Sequence, residues 1–119
     1  MGISVALCTH NGERYVRRQL ASILSQTLGA DQLVVSDDAS ADGTVAAIEE
    51  ELDAARRAGA PVPEVVVLRN AEPLGVTANF ESALAACTED LIVLSDQDDE
   101  WETDKLERLA AGFAARPGL

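Results

Sequence analysis

The chain is poor in aromatic residues, in cysteine and in positive charge. Only 3% of its 119 residues are aromatic, so its core has to be built mainly from Ala, Val, Leu and Ile. Two cysteines, Cys8 and Cys87, are too few for a disulfide framework, and we expect both to be buried free thiols. Nine basic residues against 21 acidic ones give a net charge of −12, which argues against a nucleic acid as partner.

Long apolar runs are also missing. No segment approaches the roughly 20 apolar residues of a membrane span, and no signal peptide opens the chain. These absences predict no membrane span in this segment and a cytoplasmic location, at the inner face of the membrane if the chain belongs to a longer, membrane-associated protein. With 47% apolar and 25% charged residues, the composition is that of one soluble globular domain spanning 1–119.

Segments suited to β-strands alternate with segments of helical periodicity. The predicted strands are residues 3–8, 32–36, 64–68 and 91–95. In the first helix the apolar residues at helical spacing are Val16, Leu20, Ile23, Leu24 and Leu28. We expect Gln19 to lie with Arg17 and Arg18 on the opposite, solvent-facing side of that helix. This alternation predicts an α/β fold with a mostly parallel sheet.

An acidic segment, residues 96–102, follows the last predicted strand. It contains five carboxylates within seven residues, namely Asp96, Asp98, Asp99, Glu100 and Glu102. The apolar run before it predicts a strand covered on both faces. Crowded carboxylates repel one another unless water or a cation screens them, and ligands of open α/β sheets bind at the carboxyl ends of strands. The segment therefore predicts a divalent cation that carries a phosphorylated ligand.

Polar clusters follow three of the four predicted strands, at residues 9–13, 37–40 and 96–102. The carboxyl ends of parallel strands share one edge of a sheet, because crossovers between them are almost always right-handed. We therefore expect the three clusters to form a single site.

Several rival functions for the acidic segment fit the sequence less well. A solvated charged loop is the simplest, but it does not account for the position after a strand. A calcium loop starting at Asp96 would need Gly where the chain has Trp101, and a helix in front of it. An aspartyl phosphatase or a phospho-acceptor domain would carry its acids after a different strand. A dinucleotide fold needs Gly-x-Gly-x-x-Gly, and residues 9–13 do not supply it.

Four segments carry a family resemblance, and in chain order they are residues 4–12, 25–27, 34–44 and 94–99. Their order resembles the nucleotide-binding half of family 2 glycosyltransferases, inverting enzymes of the Rossmann-like GT-A fold. Ser4 to Gly12 is similar to the opening strand and Thr-Tyr-Asn turn of that family, and Ser25-Gln26-Thr27 to its Ser-x-Leu-x-Gln-Thr segment. Val34 to Thr44 is similar to its Asp-Asp-Gly-Ser-x-Asp-Gly-Thr motif, and Leu94 to Asp99 to its Asp-x-Asp motif. The resemblance spans nearly the whole chain.

The resemblance implies a donor site for a UDP- or dTDP-sugar. The nucleotide-binding residues that it implies are Cys8, Thr9, His10, Asn11, Glu13, Asp38, Asn79 and Asp96. Asp38 would accept a hydrogen bond from the imide N–H of uracil or thymine, whereas we expect Asp37 to shape the turn. Asp98, together with Asp96 or Asp99, would hold Mg²⁺ or Mn²⁺, a hard cation that prefers oxygen ligands.

The chain departs from the family pattern at several positions. His10 stands in place of the usual Tyr, and Thr77-Ala78-Asn79 lacks the basic residue of the Ala-Arg-Asn segment. Trp101 fits either core packing or a wall facing the sugar. No acid remains to act as the catalytic base, which the resemblance places beyond Leu119.

Two functions therefore follow from the sequence. The first is the donor half of a glycosyltransferase that acts on a glycan or lipid-linked acceptor, and the acidic segment also resembles that of rhamnosyltransferase-like members. The second is a non-catalytic module that binds a nucleotide sugar.

Overall fold

The chain forms one sheet of four parallel strands with helices between them. The structure, a computed structural model, describes residues 2–96 and 99–115. In chain order the elements are β1 (Ile3–Thr9), α1 (Val16–Leu24), β2 (Gln32–Asp37), α2 (Thr44–Arg57), β3 (Glu64–Arg69), α3 (Val76–Ala86), β4 (Leu91–Ser95) and α4 (Lys105–Ala115). The strand order is β3-β2-β1-β4, and every pairing is parallel. The predicted α/β class and the predicted parallel sheet are confirmed.

The larger part of the core lies on the face of the sheet that α1 and α2 cover. Alternate residues of β1 and β2 point into it, and they pack against Val16, Leu20 and Ile23 of α1 and Ile48 of α2. Leu106 of α4 joins this cluster and is fully buried. Trp101 also packs there and is only 6% exposed, so of its two predicted roles the structure supports core packing.

The opposite face is more thinly covered, because α3 contacts β1 and β2 but leaves β4 open. The buried cluster on this face consists of Ala6, Cys8, Val34 and Ala83. On β4, Ile92 is 37% and Leu94 46% exposed. The prediction that this strand is covered on both faces is therefore wrong, since β4 is the edge strand of the described sheet.

The first helix also differs from its sequence pattern. It ends at Leu24, so Leu28 lies beyond it and is 40% exposed. Gln19 was expected on the solvent-facing side, but it is only 2% exposed. A buried amide is costly unless it is hydrogen-bonded, and the partners of Gln19 lie at the end of β4.

None of the helices in the described part of the chain combines the length and the apolar composition that crossing a bilayer requires.

Candidate functional site

A cavity of about 230 Å³ opens at the carboxyl edge of the sheet. Its lining combines strand ends with the start of α3, and consists of Cys8, Thr9, His10, Asp38, Pro73, Gly75, Val76, Asn79, Phe80 and Asp96. The ends of β1, β2 and β4 thus meet as predicted. The volume lies below the roughly 300–1,000 Å³ that is typical of small-molecule sites, so the cavity by itself is too small to enclose a large ligand.

Asp37 braces the turn beside the cavity. Its Oδ1 accepts hydrogen bonds from the hydroxyls of Thr9 and Ser40, each at 2.6 Å, and its Oδ2 accepts from the Ser40 N–H at 3.0 Å. Asp37 is 2% exposed and is not one of the residues that line the cavity. These bonds agree with the predicted turn-shaping role of Asp37.

Asp38 fastens the loop that leads into α3. Its Oδ1 accepts from the Leu74 N–H at 2.7 Å and from Nδ2 of Asn70 at 2.9 Å, and its Oδ2 accepts from the Gly75 N–H at 3.0 Å. The bond from Leu74 is the main reason that the pKa of this carboxyl lies below its ordinary value. Asp38 is therefore an anion at neutral pH. A carboxylate has about four acceptor positions, so three bonds leave room for one further donor.

His10 lies over the same turn. Its Nδ1 is 2.6 Å from the carbonyl oxygen of Asp38, which can only accept, so Nδ1 carries the proton. Its Nε2 is 3.3 Å from Nδ2 of Asn11 and accepts from that amide. The ring is thereby held at the mouth of the cavity, which it lines.

Asn11 and Glu13 connect two loops, and neither is among the lining residues. Oδ1 of Asn11 accepts from the Ala41 N–H at 2.7 Å, and its own N–H donates to the Ser40 hydroxyl at 2.9 Å. The Glu13 N–H donates to Asp42 at 3.2 Å, and its side chain occupies the space that a side chain at Gly43 would need. The structure thus separates these two predicted nucleotide ligands from the other six, all of which line the cavity.

Asn79 lines the floor of the cavity and is 3% exposed. Its Oδ1 accepts from the Ser36 hydroxyl at 2.7 Å and from Nδ2 of Asn70 at 3.0 Å, while its Nδ2 donates to the Ser36 carbonyl at 3.0 Å. One N–H of its amide remains for a ligand. Most of the hydrogen-bonding capacity of Asn79 therefore ties α3 to β2.

Cys8 presents a thiol to the cavity. Burial, and to a smaller extent the negative charge of Asp96, raises the pKa of Cys8 to about 12. Its Sγ lies 3.9 Å from the Asn79 carbonyl. A thiol with so high a pKa stays protonated and is a poor nucleophile at neutral pH.

The acidic segment begins where β4 ends. Asp96 lines the cavity, and its carbonyl accepts from the Asp99 N–H at 3.1 Å. Oδ2 of Asp99 is 3.4 Å from the Asp96 N–H, and Asp99 borders a neighbouring groove with Trp101. Asp98, the first choice for metal coordination from the sequence, lies outside the described residues.

Within residues 2–96 and 99–115, no three His, Cys, Asp or Glu side chains are grouped closely enough to hold a metal by themselves. Magnesium-type sites on nucleotides need only one or two carboxylates, because phosphate and water supply the other oxygens. Asp96 and Asp99 lie three residues apart and are connected by a backbone hydrogen bond. Each carries a carboxylate, the type of oxygen ligand that a hard cation prefers.

Sequence reasoning missed four residues that line the cavity, namely Pro73, Gly75, Val76 and Phe80. Helical spacing predicts Phe80 on the apolar face of α3 and a plain loop before that helix. Gly75 precedes α3 with φ of +95°, a conformation that favours glycine. A glycine directly before a predicted helix was the signal that could have placed this loop beside the site.

Solved structures show which class of fold this is. A Staphylococcus aureus TarS structure with UDP-GlcNAc has a TM-score of 0.81 and 24% identity over 97% of this chain and 32% of that one. A mannosyltransferase from Pyrobaculum calidifontis with GDP-Man and Mn²⁺ has a TM-score of 0.83 and 24% identity over 98% of this chain and 33% of that one. The four-stranded parallel sheet with its helices is the GT-A glycosyltransferase fold.

Sequence similarity then gives the family. The profile described as "Glycosyl transferase family 2" matches residues 4–118, and the chain belongs to that family. A glycosyltransferase of Nostoc sp. is 29% identical over 113 residues, which are 95% of this chain and 33% of the relative. The Escherichia coli UDP-Glc:alpha-D-GlcNAc-diphosphoundecaprenol beta-1,3-glucosyltransferase WfgD is 28% identical over 105 residues, 88% of this chain and 38% of the relative. The chain thus spans about a third of the length of these curated relatives.

Proposed function

We propose that residues 1–119 are the donor-binding part of an inverting, metal-dependent glycosyltransferase. The enzyme would move a sugar from a UDP- or dTDP-sugar to an acceptor hydroxyl, in the synthesis of a polysaccharide or cell-surface glycan. The observation that carries this proposal is one cavity lined by Asp38 and His10 beside β2 and by Asp96 beside β4. Because β2 and β4 lie on opposite sides of β1, we take these residues as the two ends of the cavity. A nucleobase and a diphosphate need different binding groups, and the two ends of the cavity carry different side chains.

The end at Asp38 suits a uracil or thymine ring. A buried carboxylate with one open acceptor position can receive the imide N–H, and His10 offers a flat ring beside it. The Thr9 hydroxyl is committed to Asp37, so we assign Thr9 a contact through its backbone. Asn79 contributes its one remaining N–H from the floor.

The end at Asp96 suits ribose and a metal-bound diphosphate. We propose that Asp98 coordinates Mg²⁺ or Mn²⁺ directly, and that Asp96 and Asp99 contact ribose or bind the ion through water. When bound, the cation would stabilise the charge that builds on the departing nucleoside diphosphate. The Pyrobaculum mannosyltransferase structure holds Mn²⁺ with its nucleotide sugar, which supports a divalent cation in this fold.

Among the described residues that line the cavity, no carboxylate is left to act as the catalytic base. The two acids there are Asp38, which holds the loop before α3, and Asp96, which we assign to the donor. An inverting transfer needs a carboxylate that deprotonates the attacking hydroxyl. We propose that this base, and the acceptor site, are not supplied by residues 1–119, which cover only 33% and 38% of the length of the two curated relatives. WfgD acts on a diphosphoundecaprenol acceptor, which makes a lipid-linked acceptor at the inner membrane face a reasonable first candidate.

The metal role predicts that UDP binds more tightly with Mn²⁺ than with EDTA. Asp98→Ala should remove most of that gain, because a carboxylate that bridges ion and diphosphate would be lost. Titration calorimetry of UDP with each protein measures the gain. Asp90→Ala is the matched control, since Asp90 is an exposed acid just before the opposite end of β4. Equal affinity with Mn²⁺ and EDTA in the wild type would rule out the metal role.

The proposed base contact predicts that UDP binds better than CDP, whose ring nitrogen at that position accepts rather than donates. Asp38→Ala should bring the UDP-to-CDP affinity ratio close to one, even if loosening the loop weakens both nucleotides. The expected change is roughly tenfold, the value of about one charge-assisted hydrogen bond. A ratio that survives the substitution would remove Asp38 from base recognition. Titration with dTDP-rhamnose as a third ligand tests whether the donor is the one suggested by the resemblance to rhamnosyltransferase-like members.

A further inference from the structure

Three polar side chains of α1 and the turn after it face the acidic segment instead of solvent. They are Gln19, Ser22 and Gln26, spaced so that they lie along one side of the helix and its extension. Each of them is hydrogen-bonded to residues at or beyond the end of β4, more than 75 residues away in sequence. We call these three residues the α1 polar ladder.

Gln19 holds the start of the acidic segment. Its Nε2 donates to the Ser95 hydroxyl at 3.1 Å and to the carbonyl of Asp96. That carbonyl also accepts from the Asp99 N–H, so one backbone group connects α1, the end of β4 and Asp99. An amide that is 2% exposed beside an apolar cluster is costly to bury, and these bonds offset that cost.

Ser22 and Gln26 hold the end of the segment. The Ser22 hydroxyl accepts from the Trp101 N–H at 3.0 Å and donates to the Gln19 carbonyl at 2.6 Å. Nε2 of Gln26 donates to the Glu102 carbonyl at 2.7 Å, and its Oε1 accepts from the Leu106 N–H at 3.0 Å. The ladder thus fixes both ends of the described acidic segment and the first turn of α4.

The segment needs such support because its own charges oppose a compact arrangement. Asp96, Asp99, Glu100 and Glu102 are all exposed acids, and like charges at this spacing repel one another. None of the described residues between β4 and α4 belongs to a helix or strand, so no regular backbone pairing sets its course. Neutral amides and a hydroxyl bind the backbone without adding to the charge.

We propose that the α1 polar ladder is a set of positioning residues for the donor site, which orients Asp96 and Asp99 without touching the ligand. This inference rests on the proposed donor and metal roles of the acidic segment. The inference assigns a function to one face of α1, although none of the three ladder residues lines the cavity.

Trp101, the only tryptophan of the chain, reports directly on the ladder. Ser22→Ala and Gln26→Met should shift its fluorescence to longer wavelength and increase its quenching by acrylamide. Ser25→Ala is the matched control for Ser22, because the Ser25 hydroxyl donates to the Ala21 carbonyl of the same helix. Gln32→Met is the control for Gln19→Met, because Gln32 is equally buried but bonds Ser4 and Thr88 at the other end of the sheet.

The same proteins are titrated with UDP in Mn²⁺ and in EDTA, at a temperature where circular dichroism shows all of them folded. In Gln19→Met and Ser22→Ala we expect the Mn²⁺-dependent gain in UDP affinity to fall roughly three- to tenfold, the worth of about one hydrogen bond. Both controls should keep the wild-type gain, although Gln32→Met loses thermal stability.

The outcomes separate this inference from the proposed function. Unchanged Trp101 fluorescence in both Ser22→Ala and Gln26→Met would overturn the ladder. Changed fluorescence with an unchanged Mn²⁺ gain would overturn its role at the donor site. If the wild type shows no Mn²⁺ gain, the proposed metal role fails, and the positioning of the segment is decided by fluorescence alone.

Discussion

At the scale of single residues, the site is a set of short polar side chains that mostly bind one another. Asp37, Asn11 and Asn79 use nearly all of their hydrogen bonds on the turns around them. Asp38 retains one open acceptor position at the cavity, and His10 lines its mouth. The ligand-facing groups are therefore those that the turns leave unused, and sequence alone does not reveal which these are.

Ala39 carries backbone strain between Asp38 and Ser40. Its φ is +54°, where a β-carbon costs about 1–2 kcal/mol, and the corresponding family motif has Gly at this position. Ala39→Gly should raise the free energy of unfolding by about 0.5–1 kcal/mol, because relief of strain exceeds the added flexibility of the unfolded chain. Urea denaturation measures the change. The control, Ala41→Gly, lies two residues on without positive φ and should destabilise; equal effects would argue against strain at Ala39.

At the scale of elements, β4 is the strand whose environment differs most from its sequence. Parallel register places Val93 beside Val5 in the main core, and Leu94 beside Ala6 on the thinly covered face. An apolar run predicts a strand but carries no information about how far the neighbouring helix reaches. Because α3 packs on β1 and β2, Ile92 and Leu94 stay partly exposed.

Shortening a side chain should lower the free energy of unfolding by different amounts on the two faces of β4. Val93 is 8% exposed and Ile92 37%, and both are β-branched residues of the same strand. Val93→Ala should lower the free energy of unfolding by roughly 2 kcal/mol, whereas Ile92→Ala should cost under about 1 kcal/mol. Chemical denaturation of the two variants gives the comparison. Similar losses would mean that another part of the protein covers the Ile92 face.

The strands were predicted to within one residue at each end, because runs of Val, Leu and Ile between turn residues mark buried strands. The convergence of three strand ends followed from parallel topology. Gln19 was placed wrongly for a physical reason: polarity patterns assume that an amide seeks water, whereas this one bonds Ser95 across the fold. Gly75 and Phe80 were missed because the one signal in this loop, a glycine directly before a helix, marks a special backbone conformation but does not name Asp38 as the group that binds the loop.

At the scale of the whole molecule, the net charge of −12 is the property that bears most on stability. The ion pairs found among the described residues lie at the surface, and such pairs contribute little. Excess negative charge repels itself and destabilises the compact state. Divalent cations should therefore raise stability by general screening, and the metal site that we propose at the acidic segment would add a second, specific contribution.

We expect the melting temperature to rise between low salt and about 0.5 M NaCl, where the screening length is only a few ångströms. Replacing Glu49, Glu81 and Asp90, exposed acids that do not line the cavity, by their amides should raise stability in low salt and flatten this dependence. Scanning calorimetry at several salt concentrations measures both. Parallel salt profiles for the two proteins would show that the acidic segment, and not overall charge, sets the response.

The loop held by Asp38 has a consequence for redesign of donor preference. The carboxylate that we propose faces the base also accepts hydrogen bonds from the N–H groups of Leu74 and Gly75, and Gly75 lines the cavity, so base selectivity and cavity width would depend on one side chain. Replacing Asp38 to admit another base would also release the loop at Leu74 and Gly75 and widen the cavity. Such a variant should accept more kinds of nucleotide but bind each of them more weakly. Val76, 72% exposed at the start of α3 and lining the cavity, is the independent position at which an engineer could reshape the pocket while leaving its anchor intact.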